Sequence, residues 1–179
     1  DAQGFDSDYN CRNTTIQYNY SHDNDGGLVL ICNSGTYHGA GNQGSAVQYN
    51  VSINDAIRPR ATRSGIFSAN IHIAGPCKNT LVQRNLLHVN PKTEPFIDRS
   101  IITSDSWDGY ADSTVFRENV FFVPQESEIR LNRSTRNTFD GNYYLGNIKG
   151  RPEDPNGRNA SDYYNQCISK DPSGFNSLS

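Results

Sequence analysis

Short apolar runs alternate with stretches rich in asparagine, aspartate, serine and glycine along the whole chain. The runs are Thr15–Tyr18, Leu28–Cys32, Ala46–Asn50, Gly65–Ser68, Ile71–Ile73, Thr80–Gln83, Ile101–Thr103, Thr114–Arg117, Glu128–Leu131 and Thr138–Phe139. Most carry β-branched or aromatic side chains, and their flanks are residues that turn the chain through positive-φ tolerance or Asx bonding. No sustained i, i+3, i+4 apolar spacing is present, so the pattern predicts short strands and almost no helix.

A second regularity overlies the first. Ile16-Gln17-Tyr18-Asn19 returns as Val47-Gln48-Tyr49-Asn50 and as Val82-Gln83-Arg84-Asn85, then more loosely as Phe116-Arg117-Glu118-Asn119 and Phe139-Asp140-Gly141-Asn142. The asparagines lie 31, 35, 34 and 23 residues apart. A period of roughly 20–50 residues marks a repeat architecture. Two or three short runs per repeat predict an all-β, right-handed parallel β-helix, a solenoid in a single domain over residues 1–179. A β-propeller is the rival, but its blades are longer and antiparallel. Stacked coils about 4.8 Å apart would bring the five asparagines into a hydrogen-bonded amide column. From Gly146 to Ser179 the pattern decays, which predicts a loop-rich tail or cap over 146–179.

Composition supports this picture. Only 34% of residues are apolar, yet ten tyrosines and eight phenylalanines are too many for a disordered chain. A thin core suffices when every coil buries its inner side chains against its neighbours. The net charge of −3 supplies no basic field for nucleic acid or anionic lipid, and no apolar run approaches a membrane span. Five Asn-x-Ser/Thr sequons and an even number of cysteines suit a secreted, extracellular protein. Asn13, Asn132 and Asn159 are the expected glycosylation positions, whereas Asn19 and Asn50 should face inward. Cys11 and Cys32, 21 residues apart, are placed to bridge if one coil separates them, leaving Cys77 and Cys167 as a second pair or as buried thiols.

The segments Asp1-Ala2-Gln3-Gly4-Phe5-Asp6-Ser7-Asp8 and Asn19-Tyr20-Ser21-His22-Asp23-Asn24-Asp25-Gly26-Gly27 carry a resemblance. So do Trp107-Asp108-Gly109, Glu118-Asn119-Val120-Phe121 and Asn142-Tyr143-Tyr144-Leu145-Gly146. Together they resemble secreted parallel β-helix proteins of the pectate-lyase-like superfamily, including microbial glycoside hydrolases of fucosidase and xylanase type. The resemblance implies a carbohydrate-active enzyme with a polysaccharide or oligosaccharide substrate. Such segments fall late in those relatives, which implies the C-terminal part of a longer β-helix, or another chain carrying the preceding coils.

Candidate chemistry lies in the acids. Asp6 and Asp8, at i and i+2 on an extended segment, share one face about 6.6 Å apart. That approaches the separation of about 6.5–9.5 Å used by inverting glycosidases. His22, Asp23 and Asp25 form a second catalytic candidate group. Aligning Asn19 with Asn50 lays Asn54 over Asp23 and Asp55 over Asn24, bringing further polar groups to that end. Crowded carboxylates repel, which separates acid from base roles. Asp23-Asn24-Asp25-Gly26-Gly27 reads equally well as a turn. Its oxygens would suit calcium, but the EF-hand spacing is not met, and no metal site or cofactor is assigned. Arg58, Arg60 and Arg63 could clamp an acidic sugar or serve a calcium-assisted lyase. Tyr37, His38 and Trp107 could stack on sugar rings, with Asp55 and Arg58 supplying polar substrate contacts. His72 and His88 alternate with aliphatics and read as structural. No nucleophile elbow, phosphate loop or Cys-x-x-Cys spacing occurs.

Overall fold

In the repeated tripeptides the middle side chain is the one that must be buried, and the flanking two turn outward, as a period of two requires. A computed structural model of the chain describes residues 2–35, 41–58, 68–89 and 100–160. Fifteen strands are seen among these residues: β1 (Phe5–Ser7), β2 (Thr15–Gln17), β3 (Tyr20–His22), β4 (Val29–Cys32), β5 (Ala46–Gln48), β6 (Val51–Ile53), β7 (Ile71–Ala74) and β8 (Leu81–Gln83), followed by β9 (Leu86–His88), β10 (Ser100–Asp105), β11 (Val115–Arg117), β12 (Val120–Arg130), β13 (Thr138–Asp140), β14 (Tyr143–Lys149) and β15 (Arg158–Asn159). Every strand pairing is parallel.

The molecule is all-β and strongly curled, in a solenoid-like arrangement of two sheets. The smaller sheet has the order β13-β11-β8-β5-β2. The larger contains two rows, β1-β4-β7-β10 and β3-β6-β9, joined by the long β12. The start of β12 pairs with β9 through Val120–Phe122, and its end pairs with β10 through Glu128–Arg130. Three strands and their connections therefore make one round of chain, and each round pairs with the next.

The core is a set of columns running through these rounds. Phe5, Val29, Ile71, Ile102 and Ile129 are in register in one row; Ile16, Val47, Val82, Phe116 and Phe139 in the second; Ser21, Ser52, Leu87, Phe121 and Tyr144 in the third. Phe116 and Phe139 stack with ring centroids 4.6 Å apart. The third column explains why β3 and β6 escape a reading by apolar periodicity. Their inward residues are serines, while Tyr20 and Val51 point out. The tail also differs from expectation: β14 runs on to Lys149, beyond Gly146, and β15 pairs with it.

Between the second and third rows the chain turns within two residues. The first of the two, Tyr18, Tyr49, Arg84, Glu118 or Gly141, has φ between 53° and 69°. A left-handed conformation costs an ordinary residue roughly 1–2 kcal/mol. The asparagine that follows supplies the compensation. Asn19 donates both its backbone N–H and its Nδ2 to Asn50 Oδ1, each at 3.0 Å. Asn50 treats Asn85 in the same way, Asn85 treats Asn119, and Asn119 treats Asn142. Side-chain amides of the later four also donate to the backbone carbonyls of Ile16, Val47, Val82 and Phe116. The amide column expected from the repeat is present in full. Asp154 ends it, accepting from Asn142 N at 3.1 Å, Asn142 Nδ2 at 2.9 Å and Tyr144 Oη at 3.0 Å on Oδ2, and from Gly141 N at 2.8 Å on Oδ1.

Where two rounds come closest, glycine is obligatory. Gly75 has φ +79°, and a Cβ placed there would lie 1.7 Å from the carbonyl oxygen of Asn33.

Candidate functional site

The outer side of the row β1-β4-β7-β10-β12 gathers most of the described side chains with chemical potential. Asp6, Leu30, His72, Thr103 and Arg130 share one register position. Two residues further along are Asp8, Cys32, Ala74 and Asp105, with Cys32 Sγ donating to Asp8 Oδ1 at 3.2 Å. Trp107 covers this strip, packed against Leu30, Cys32 and Ala74. Tyr9 meets Trp107 edge-on, with ring centroids 6.2 Å apart. The covering explains why Leu30, Cys32 and His72 are buried although they point away from the core.

Asp6 and Asp8 flank the inward Ser7 and share the outer face as the i, i+2 spacing requires. Partial burial, and then the charge of Asp8, raise the proton affinity of the Asp6 carboxyl above that of an ordinary aspartate. Asp8 Oδ1 accepts from the Tyr9 N–H at 2.8 Å as well as from Cys32, while its Oδ2 has no protein partner among the described residues. Burial, reinforced by the bond and charge of Asp8, pushes the Cys32 thiol well up, so it stays protonated and serves as a donor. Cys77 is likewise pushed up to about 12 by burial. Cys11, Cys32 and Cys77 are free thiols, so the Cys11–Cys32 bridge expected from spacing is not formed. Cys32 faces outward toward Asp8 and Cys77 belongs to the core.

His72 joins the strip through Asp105, with Nε2 and Oδ2 2.8 Å apart. This bond, helped by the charges of His72 and Arg130 and opposed by burial, holds the Asp105 carboxyl below its usual range. The native carboxyl thus ionises more readily than the unfolded one. Its contribution is present above the unfolded pKa near 4 and disappears as pH falls through the lower native value. Asp105 is 43% exposed, which limits the effect to about 1 kcal/mol at most after solvent screening. Asp105→Asn is expected to lower stability by that amount at pH 7 and by progressively less as the pH falls below the ordinary aspartate range, read from urea melts across that range.

The second acidic group lies on a different row. His22 Nδ1 contacts Asp23 Oδ2 at 2.9 Å, and Asn54 Nδ2 donates to Asp23 Oδ1. These bonds, that of His22 first, lower the Asp23 pKa. Asn24 donates through N and Nδ2 to Asp55 Oδ1 at 3.1 and 2.8 Å, and Ser52 Oγ donates to Asp55 Oδ2 at 2.5 Å. The stacking of Asn54 on Asp23 and Asp55 on Asn24 follows the repeat. Its consequence differs from the expected one. Asp55 is fully buried and holds the turn above it, so it is not presented to a ligand. Arg58 is buried too, with its N–H on the carbonyl of Asp25, whose own side chain is exposed. No hydrogen bond or ion pair among the described residues joins this group to Asp6 and Asp8. The acids make two separate groups rather than one pocket.

Of the sequons, Asn19 and Asn50 spend their amides in the column, as expected. Asn132 Nδ2 donates to Ser104 O at 2.6 Å and Asp105 Oδ1 at 3.4 Å, so a glycan there would displace the Ser104 contact. Asn13 and Asn159 are exposed. Tyr37, His38, Arg60, Arg63 and Cys167 lie outside the described residues.

His72, Asp105, Tyr9 and Arg130 are the strip members that sequence reasoning leaves out. Superposing Phe5-Asp6-Ser7 on Val29-Leu30-Ile31, and that segment on Ile71-His72-Ile73, would have put His72 in line with Asp6. Asp105 needs knowledge of a partner 33 residues away.

No family model, curated protein or solved structure matches the chain. What the structure shows is the coarser feature, a parallel and curled solenoid-like architecture. Among the described residues no three His, Cys, Asp or Glu side chains come together to hold a metal ion, so no ready oxygen cage for calcium is found there. Nor is any described helix long and apolar enough to cross a membrane.

Proposed function

We propose that this chain is an extracellular, carbohydrate-active β-helix protein that hydrolyses a glycosidic bond with Asp6 as general acid and Asp8 as general base. One observation carries the reading: two carboxyls share an outward face at i and i+2, and partial burial raises the proton affinity of Asp6 above that of an ordinary aspartate. Asp6 gives its proton to the leaving glycosidic oxygen as the bond from the anomeric carbon breaks. Asp8 Oδ2 takes a proton from the water that forms the new carbon–oxygen bond on the opposite face. The backbone spacing of about 6.6 Å between i and i+2 lies near the carboxyl separations of about 6.5–9.5 Å that admit a water between the pair, and on this reading the product is inverted. Tyr9 and Trp107 offer aromatic surface beside the pair for a pyranose ring.

Incubating the protein with a panel of plant and microbial polysaccharides tests this. Proton NMR of the first-formed anomer should show inversion in whichever polymer releases reducing ends. A first product with retained configuration, or no cleavage of any polymer, would count against the assignment. A calcium-assisted lyase is the weaker reading, because the described Arg58 is buried. An unsaturated product lost on chelation would nonetheless select it.

A non-catalytic role within a larger assembly has its own support. Asn19 Oδ1 receives no donor among the described residues, so the first round could accept a further coil. Glycan binding without bond cleavage would favour this second reading.

A further inference from the structure

The outer corner beside the amide column carries Tyr18, Tyr49, Arg84, Glu118 and then Gly141, one per round. Tyr18 and Tyr49 stack at 5.2 Å, Arg84 lies 5.7 Å over Tyr49 and donates to its hydroxyl, and Arg84 pairs with Glu118. At Gly141 the file of side chains stops, and a cleft of about 390 Å³ opens. Glu118, Asp140, Gly141, Tyr143, Asn156 and Arg158 line it.

We propose that this cleft is a binding subsite for one neutral pyranose unit, distinct from the Asp6–Asp8 strip. The sugar class rests on the carbohydrate reading above; the site itself rests on the cleft. Its formal charges balance, Glu118 and Asp140 against Arg158 and the neighbouring Arg84 that pairs with Glu118, so a charged ligand would upset a balanced set. Its hydrogen-bonding capacity is mixed. Glu118 uses Oε2 for Arg84 and Asp140 uses Oδ1 for Asn156, at 2.7 Å, which leaves Glu118 Oε1 and Asp140 Oδ2 as acceptors without a protein partner among the described residues. Arg158 donates to the Tyr143 hydroxyl at 3.0 Å, and these two donor-bearing side chains line the same cleft. Vicinal hydroxyls, each able to give one hydrogen bond and receive another, suit a cleft lined by both acceptors and donor-bearing side chains. The volume falls within the range of about 300–1,000 Å³ typical of small-ligand sites.

The column itself provides the decisive variant. Tyr18, Tyr49, Arg84 and Glu118 show that this corner accepts side chains at φ near 55°, and a Cβ on Gly141 would meet only Glu118 Cγ at 3.7 Å and Asn156 Cβ at 4.0 Å. Gly141→Tyr should fill the cleft by repeating what Tyr18 and Tyr49 already do. Methyl glycosides of glucose, galactose, mannose and xylose, titrated into the full chain labelled with nitrogen-15, are the probes. At least one is expected to shift the Gly141 and Tyr143 amide signals at millimolar concentration. Gly141→Tyr should abolish binding, and Asp140→Asn should weaken it about tenfold, the value of one charge-assisted hydrogen bond. Asp6→Asn should leave it unchanged. No shift with any of the four, or an unaltered affinity in both Gly141→Tyr and Asp140→Asn, overturns the subsite. Polymer cleavage with an empty cleft would defeat this inference alone, and cleft binding without cleavage would defeat only the hydrolase.

Discussion

Asn85→Ala is expected to cost about 3–5 kcal/mol of unfolding free energy and to lower the melting temperature by roughly 10 °C, at about 2–4 °C per kcal/mol for a chain of this size. Asn85 stands mid-column and is buried. Its Oδ1 accepts from Asn50 N and Nδ2 at 3.0 Å each, and its Nδ2 donates to Asn119 Oδ1 at 3.0 Å and Val47 O at 2.9 Å. Alanine leaves the Asn50 N–H without its acceptor and Val47 O without this donor. Each group stranded away from water costs about 1–3 kcal/mol. Arg84, next to it at φ +53°, also loses the neighbour that offsets its strained backbone. Asn85→Asp should do no better, because a carboxylate can receive from Asn50 but would oppose the lone pairs of Val47 and Asn119. Asp154 tolerates the same chemistry because the four groups that bond its carboxylate are all donors. Thermal melts of the two Asn85 variants and of Asp154→Asn decide the matter. If Asn85→Ala melts within 2 °C of the parent, on the order of 1 kcal/mol, the column is not what holds the corner.

Asp6→Asn is expected to cut polysaccharide turnover by at least about a hundredfold, the usual lower range for removing a general acid. The loss should shrink on an aryl glycoside, whose phenolate leaves without a proton. Asp8→Asn should lose turnover on both substrates, because the attacking water still needs its base. The wild-type rate should fall on the alkaline side as Asp6 surrenders its proton, at a pH above the range of an ordinary aspartate. Burial and the Asp8 charge both push in that direction. Equal turnover by the parent and both variants would remove the strip from the chemistry. A matched unfolding transition separates that result from misfolding.

Much of the architecture is readable because one side chain repeats itself. An asparagine that must donate twice and accept twice has no substitute, so Asn19, Asn50, Asn85, Asn119 and Asn142 stand out from an otherwise polar chain. The apolar members of the second row, Ile16 through Phe139, are visible for the related reason that their neighbours are polar. The third row hides because Ser21 and Ser52 invert the usual alternation. The Asp6–Asp8 pair is legible from local spacing alone. Its surroundings are not: Asp105 reaches His72 across a round of 33 residues, and Trp107 reaches Cys32 through packing that no local pattern encodes.

The amide column also has a direction. From Asn50 to Asn142 each side-chain oxygen looks back to the earlier round, while each backbone N–H and one Nδ2 hydrogen look forward, until Asp154 absorbs the final pair of donors. A second molecule approaching that end finds its hydrogens already spent, and one approaching head to head would set oxygen against oxygen. Among the described residues the column is thus closed by a carboxylate at its Asn142 end, and at its Asn19 end it presents an amide oxygen that only a donor could satisfy.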